Sequence, residues 1–93
     1  MRVIIREAAY DDLDRIYSWI AKDDPRAADA VSERILESAG RVGRFPYIGH
    51  AGSVPGTYEW VVPHLPYIIV YQLRTELISI EAVFHAAQQR KQK

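Results

Sequence analysis

TYEWVVPHLPYIIVYQLRTELISIEAVF, Thr57–Phe84, is the stretch that decides the fold. It reads as β-rich runs separated by turn signals. In Thr57–Pro63, Tyr58, Trp60 and Val62 alternate with Thr57, Glu59 and Val61, so one face of a strand carries the two aromatics. Pro63 and Pro66 bracket a tight connection through His64 and Leu65. Tyr67–Leu73 is apolar on both faces, which predicts a central strand buried on both sides. Arg74–Glu76 supplies a second hairpin turn. Leu77–Phe84 alternates less cleanly, with Ser79 and Glu81 on one face and Ile78, Ile80 and Phe84 on the other.

Upstream, Gly43–Gly56 is a loop rich in Gly and Pro with no periodicity. Before it, Ala28, Val31, Ile35 and Val42, with Leu36 and Ala39 beside them, form the stripe of a helix. Asp24 suits its N-cap and Pro25 its first position, while Gly40 and Gly43 weaken its end and Pro46 cannot continue it. An earlier helix is marked by Leu13, Ile16, Tyr17 and Ile20, with Asp11, Asp12 and Asp14 read as an acidic cluster near its start. So short a connection between helices makes an αα-hairpin. Arg2–Glu7, β-branched and bounded by polar residues, reads as the first strand. The order β-α-α-β-β-β predicts one two-layer α+β domain over residues 1–93. A helical hairpin packs on a mostly antiparallel four-stranded sheet, whose other face is left to solvent or a partner.

Composition narrows the function classes. The net charge is zero, which argues against a general nucleic-acid binder. The charge is unevenly spread: residues 1–39 hold six basic and nine acidic side chains, residues 40–93 six basic and three acidic. The end of the chain, RKQK, is its densest positive run. There is no cysteine, hence no disulfide framework and no thiolate metal site. No apolar run approaches the roughly 18 residues of a membrane span, and no signal-peptide pattern opens the chain; both predict a cytoplasmic protein. GxGxxG, P-loop, HExxH and GxSxG patterns are absent. His50, His64 and His85 have no metal-ligand spacing, so neither metal nor cofactor is expected. His85 draws notice because it follows the last strand, where rigid backbone holds side chains at an open rim.

FPYIG after the second helix, PGTYEWVV, PYIIVY and VFH near the end occur in this order and spacing. Together they resemble the RelE/ParE superfamily, the toxins of type II toxin–antitoxin modules, over nearly the whole chain. The resemblance implies a small cytoplasmic toxin of a plasmid-stabilisation type module, neutralised by a tightly bound ParD-like antitoxin in a hetero-oligomer. Operator DNA would be reached only through that antitoxin.

The superfamily's two branches differ in residues that can be checked. The RelE-like branch cleaves mRNA in the ribosome and needs cationic groups to stabilise charge as the 2′-OH attacks. Where that branch carries an Arg after the Tyr opening the central strand, this chain has Ile68; where it carries Lys on the preceding strand, Glu59, Trp60 and Val61 stand. Its C-terminal Arg and Tyr fall around Ala86 and Gln92. The chain therefore looks more like the ParE branch, which binds and poisons DNA gyrase without catalysis. The RelE-like alternative would have to use His85, Arg74 and Tyr58, with Arg44 and Arg90 as further cations, and an inactive antitoxin-binding member is a third reading. Candidates for target binding are Tyr58, Arg74, His85, Arg90 and Lys91; for antitoxin binding, Asp11, Asp12, Asp14, Tyr17 and Trp60.

Overall fold

A computed structural model describes residues 1–88. Its elements are β1 (Arg2–Ile5), α1 (Glu7–Ala21), α2 (Pro25–Arg44), β2 (His50–Ala51), β3 (Thr57–Val61), β4 (Tyr67–Leu73) and β5 (Leu77–His85), followed by a 3-10 turn at Ala86–Gln88. The strands form one sheet in the order β1-β5-β4-β3-β2. Every pair is antiparallel except β1 with β5, which run parallel from Arg2↔Leu77 to Ile5↔Ile80. The α+β class and the helical hairpin agree with expectation, but the sheet has five strands where four were expected.

The additional strand is β2, whose two residues pair His50↔Glu59 and Ala51↔Tyr58. Two residues carry no periodicity, so no pattern announces them. The turn that follows holds them in place. Gly52 N–H donates to Thr57 O at 2.8 Å, and the Thr57 amide and hydroxyl both donate to Val54 O, at 3.1 and 2.6 Å.

Both helices start earlier or more firmly than hydrophobic spacing alone dictates. Arg6 is extended, with φ −71° and ψ 158°, and α1 begins directly after it at Glu7. The strand is correspondingly shorter than expected, ending at Ile5. Asp11, Asp12 and Asp14 therefore lie beyond the first turn, where only Glu7 complements the dipole. In α2 the expected cap is present: Asp24 Oδ1 accepts from Ala27 N–H at 3.1 Å, with Pro25 next. Near its end α2 approaches β1 closely. A Cβ on Gly43 would stand 2.6 Å from Val3 Cγ2 and 3.1 Å from Met1 O, so only glycine admits the approach. The Met1 ammonium donates to Gly43 O at 2.9 Å, a cation on the carbonyl end of the helix.

The hairpin lies on the face that carries Tyr67, Ile69 and Tyr71 of β4 and Ile78, Ile80 and Val83 of β5. These pack with Ala9 of α1 and with Ile35, Ala39 and Val42 of α2. Each fully buried Ile or Val contributes about 1.5–3 kcal/mol of hydrophobic stabilisation. Leu36, read as a neighbour of the apolar stripe, is instead 48 % exposed.

The untidy alternation of Leu77–Phe84 has a structural cause. Tyr71 pairs with Ile80 and Val70 with Ala82, so Glu81 is an extra residue, a β-bulge. Past it the faces exchange. Val83 returns to the helix side opposite Ile69, and Phe84 stands opposite Ile68 on the other face, against expectation.

Candidate protein-binding site

Past the bulge, a hollow of about 930 Å³ lies between α1 and the end of β5. On α1, Asp12, Arg15, Ile16 and Trp19 recur at i, i+3, i+4 and i+7 and so line one wall, with Asp14 and Lys22 beside them. The facing wall is Tyr67, Val83, Phe84 and His85, closed at one end by Gln88. Beyond Ile80 the outer edge of β5 has no β1 residue opposite it. That edge is capped by side chains: Asp12 Oδ2 accepts from Val83 N–H at 2.9 Å, and Gln88 Oε1 accepts from His85 N–H at 3.3 Å.

Asp12 is thus a fastener between helix and sheet, not merely part of a solvated acidic face. Its second oxygen takes the Arg15 guanidinium. An Asp12→Ala substitution leaves the Val83 amide without its acceptor and is expected to lower stability by about 1–3 kcal/mol. Urea titration checks the loss, and hydrogen exchange should accelerate first at Val83.

His85 serves the chain's exit from the sheet. Its Nδ1 accepts from Ala87 N–H at 2.9 Å, and its ring stands edge-on to Tyr67, with centroids 5.2 Å apart and planes at 83°. An accepting Nδ1 places the neutral ring's proton on Nε2. Burial raises the Tyr67 phenol pKa. Trp19 is 71 % exposed, and the Lys22 ammonium sits 5.3 Å from its ring centroid.

The sequence candidates fall in several places. Asp12, Asp14 and His85 border the hollow, whereas Asp11 is exposed elsewhere on α1. Tyr17 joins the two helices, its hydroxyl donating to Asp29 at 2.8 Å; that bond, and the charge behind it, raise its pKa. Trp60 is half-buried on the helix side of the sheet, opposite Ile69, its indole nitrogen buried without a hydrogen-bond partner. Tyr58 is stacked on Tyr71 at 5.4 Å. Arg74 lies at the β4–β5 turn and donates to Gln72 Oε1 at 2.7 Å. Tyr67, the partner of His85, opens β4, and Arg74 follows its last residue. The two sit a whole strand apart, about 20 Å. His85, Arg74 and Tyr58 therefore do not converge on one reacting centre. Arg90 and Lys91 lie outside the described residues. Among the described residues, no group of three His, Asp or Glu side chains could hold a metal ion.

Sequence reading missed Trp19, Arg15 and Lys22 as site residues. The available signal is Trp19 at helical spacing from Asp12 and Ile16; the stripe read as core shares Ile16 but turns to the neighbouring face through Leu13, Tyr17 and Ile20.

Residues 3–90 match the family model described as "ParE toxin of type II toxin-antitoxin system, parDE". The chain belongs to the ParE toxin family. A relative, "Putative toxin Y4kP" of Sinorhizobium fredii (strain NBRC 101917 / NGR234), is 39% identical over 77 residues, covering 83% of this chain and 79% of that protein. The fold is also that of a solved structure titled "Chromosomal ParDE TA system from P. aeruginosa". The TM-score is 0.81 at 20% identity, covering 91% of this chain and 95% of the other. No helix among the described residues of this ParE-family chain is long and apolar enough to cross a membrane.

Proposed function

We propose that this ParE-family toxin acts by binding DNA gyrase in the cytoplasm, as one half of a plasmid-stabilisation type module. A ParD-like antitoxin neutralises it by occupying the hollow between α1 and β5. The observation that carries the binding reading is the separation of Arg74 from His85 by the length of β4, which leaves the ribonuclease candidates unable to act on one phosphate. The antitoxin reading rests on the hollow. It offers an apolar floor from Ile16, Val83 and Phe84, an exposed Trp19, and the Asp14 carboxylate for a basic residue, Asp12 being held by Val83 N–H and Arg15. Operator DNA is contacted through the antitoxin, consistent with the toxin's zero net charge.

The test is inhibition of gyrase supercoiling by the purified toxin, followed by its relief with the co-encoded antitoxin. Translation arrest with intact supercoiling would instead favour the ribonuclease. Trp19→Ala is expected to weaken antitoxin affinity by about 30-fold, the scale of an interface hot spot. Calorimetry with the purified antitoxin measures it. Truncation after Ala87 asks whether the basic end contributes to gyrase inhibition.

A further inference from the structure

A second, smaller hollow of about 500 Å³ lies at the end of α2 and the loop before β2, lined by Arg41, Arg44, Phe45, Pro46, Tyr47 and Ile48. It shares no residue with the first. Tyr47 is 73 % and Phe45 55 % exposed, yet the loop bearing them is fastened to the core. The Tyr71 hydroxyl donates to Pro46 O at 2.8 Å and accepts from Gly49 N–H at 3.1 Å. Tyr58 stacks on Tyr71, and Tyr47 meets Tyr58 edge-on at 6.2 Å, so an aromatic ladder runs from the core to the surface.

The corner is cationic. Arg41 and Arg44 occupy the last turn of α2, and the Met1 ammonium bonds Gly43 O between them. Neither arginine forms an ion pair with a carboxylate among the described residues. The helix dipole accounts for cations at a C-terminal turn. It does not account for two large exposed aromatics beside them, on a loop fastened through Pro46 O and Gly49 N–H. Arginine and tyrosine around an apolar hollow are the composition of a protein-binding hot spot. Nucleic acid fits less well. Three positive groups release few counterions, and the chain as a whole is neutral.

We propose that Arg41, Arg44, Phe45 and Tyr47 form the surface by which this toxin grips its cellular target, through an acidic segment of that protein whose apolar side chain enters the hollow. The proposal rests on the toxin reading above, though not on the target being gyrase. It is separated from antitoxin binding by position and charge. The α1–β5 hollow, which shares no residue with this corner, sets Asp12 and Asp14 beside Arg15 and Lys22. The charged lining residues here are the guanidiniums of Arg41 and Arg44, without a carboxylate partner among the described residues and suited to an acidic segment. The exposed aromatic rings bring the apolar contact, and the arginines set its orientation and partner choice.

The experiment compares wild type with Arg41→Glu/Arg44→Glu, with Tyr47→Ala and with the control Arg34→Glu, an exposed cation on α2 away from the corner. Readouts are growth arrest on induction, gyrase inhibition by the pure proteins, antitoxin affinity by calorimetry, and anisotropy of a fluorescent 20-base-pair duplex. The double variant and Tyr47→Ala should each need at least tenfold more toxin for arrest. Antitoxin affinity should stay within about twofold, and Arg34→Glu should behave as wild type. Unchanged arrest by both corner variants overturns the proposal, as does a parallel tenfold loss of antitoxin affinity. Duplex binding by wild type that the double variant loses also overturns it, in favour of nucleic acid. Wild type that arrests growth but leaves gyrase untouched refutes the gyrase reading alone; the corner is then judged on arrest.

Discussion

Replacing Tyr71 by alanine should lower the stability of the domain by about 3–5 kcal/mol, the range for deleting a buried aromatic ring. For a chain of this size that is a fall of roughly 15–30 °C in the melting temperature. Tyr71 has no exposed surface and sits in the cluster where helices and sheet meet. Its loss removes core volume, the stacking surface for Tyr58 and both hydrogen bonds that dock the loop after α2. Tyr71→Phe separates these contributions. It keeps the ring, strands Gly49 N–H and Pro46 O, and should cost about 1–3 kcal/mol. Thermal and urea unfolding of the two variants measure the difference. Alkaline titration gives an independent check. Burial is the main cause that raises the Tyr71 pKa; proximity to Tyr58 adds to it, and the Gly49 amide opposes it. A raised folded-state value means stability that is fully present below the unfolded pKa of about 10 and is lost as pH rises through the folded value. Tyr71→Phe should flatten that decline, leaving the parts due to Tyr67, whose pKa burial also raises, and to Tyr17, whose pKa the bond to Asp29 raises. A variant as sensitive to alkali as wild type would refute the assignment to Tyr71.

Gly49→Ala should cost about 3 kcal/mol, at the upper end for overpacking. A Cβ there would stand 2.6 Å from Glu59 O and 2.9 Å from the Tyr71 hydroxyl. Glu59 O belongs to the β3 backbone, which is fixed on its other side by β4, so the loop must move instead. The movement takes His50 and Ala51 out of register and frees the sheet edge. Gly40→Ala is the control. There the nearest atom is the far end of Arg44 at 4.0 Å, so helix propensity dominates and stability should rise by about 0.5–1 kcal/mol. Denaturant melts of the pair decide it; equal costs would mean that the close approach to β3 is not what requires glycine at 49.

Much of the architecture could be read from local chemistry. Asp24 and Pro25 announce the start of α2, and the Pro-bracketed turn and Arg74–Glu76 divide the last three strands. The apolar run Tyr67–Leu73 identifies the central strand because only a strand buried on both faces tolerates it. Other features depend on contacts distant in sequence. The bulge at Glu81 is invisible to a period-two reading, since an extra residue changes which side chains face the core without changing composition. Asp12 looked like one carboxylate among several, and only the return of β5 seventy-one residues later gives it an amide to hold.

The candidate site was less legible for the same reason. Strand ends and charge group Tyr58, Arg74 and His85 together, yet strand ends can lie at either end of a sheet. Family membership could be anticipated because four local motifs preserve their order along the chain, and the match over residues 3–90 agrees. By itself, then, the sequence determined the order of the elements other than β2, the helix cap and the central strand, all set by interactions a few residues long, and through its resemblance the kind of toxin domain. Only the tertiary structure decided that β1 lies parallel to β5, that a bulge turns Val83 inward, and that Arg41, Arg44, Phe45 and Tyr47 stand together over an anchored aromatic ladder. Those arrangements arise when packing of the shared core brings distant segments together, and no local pattern encodes that meeting.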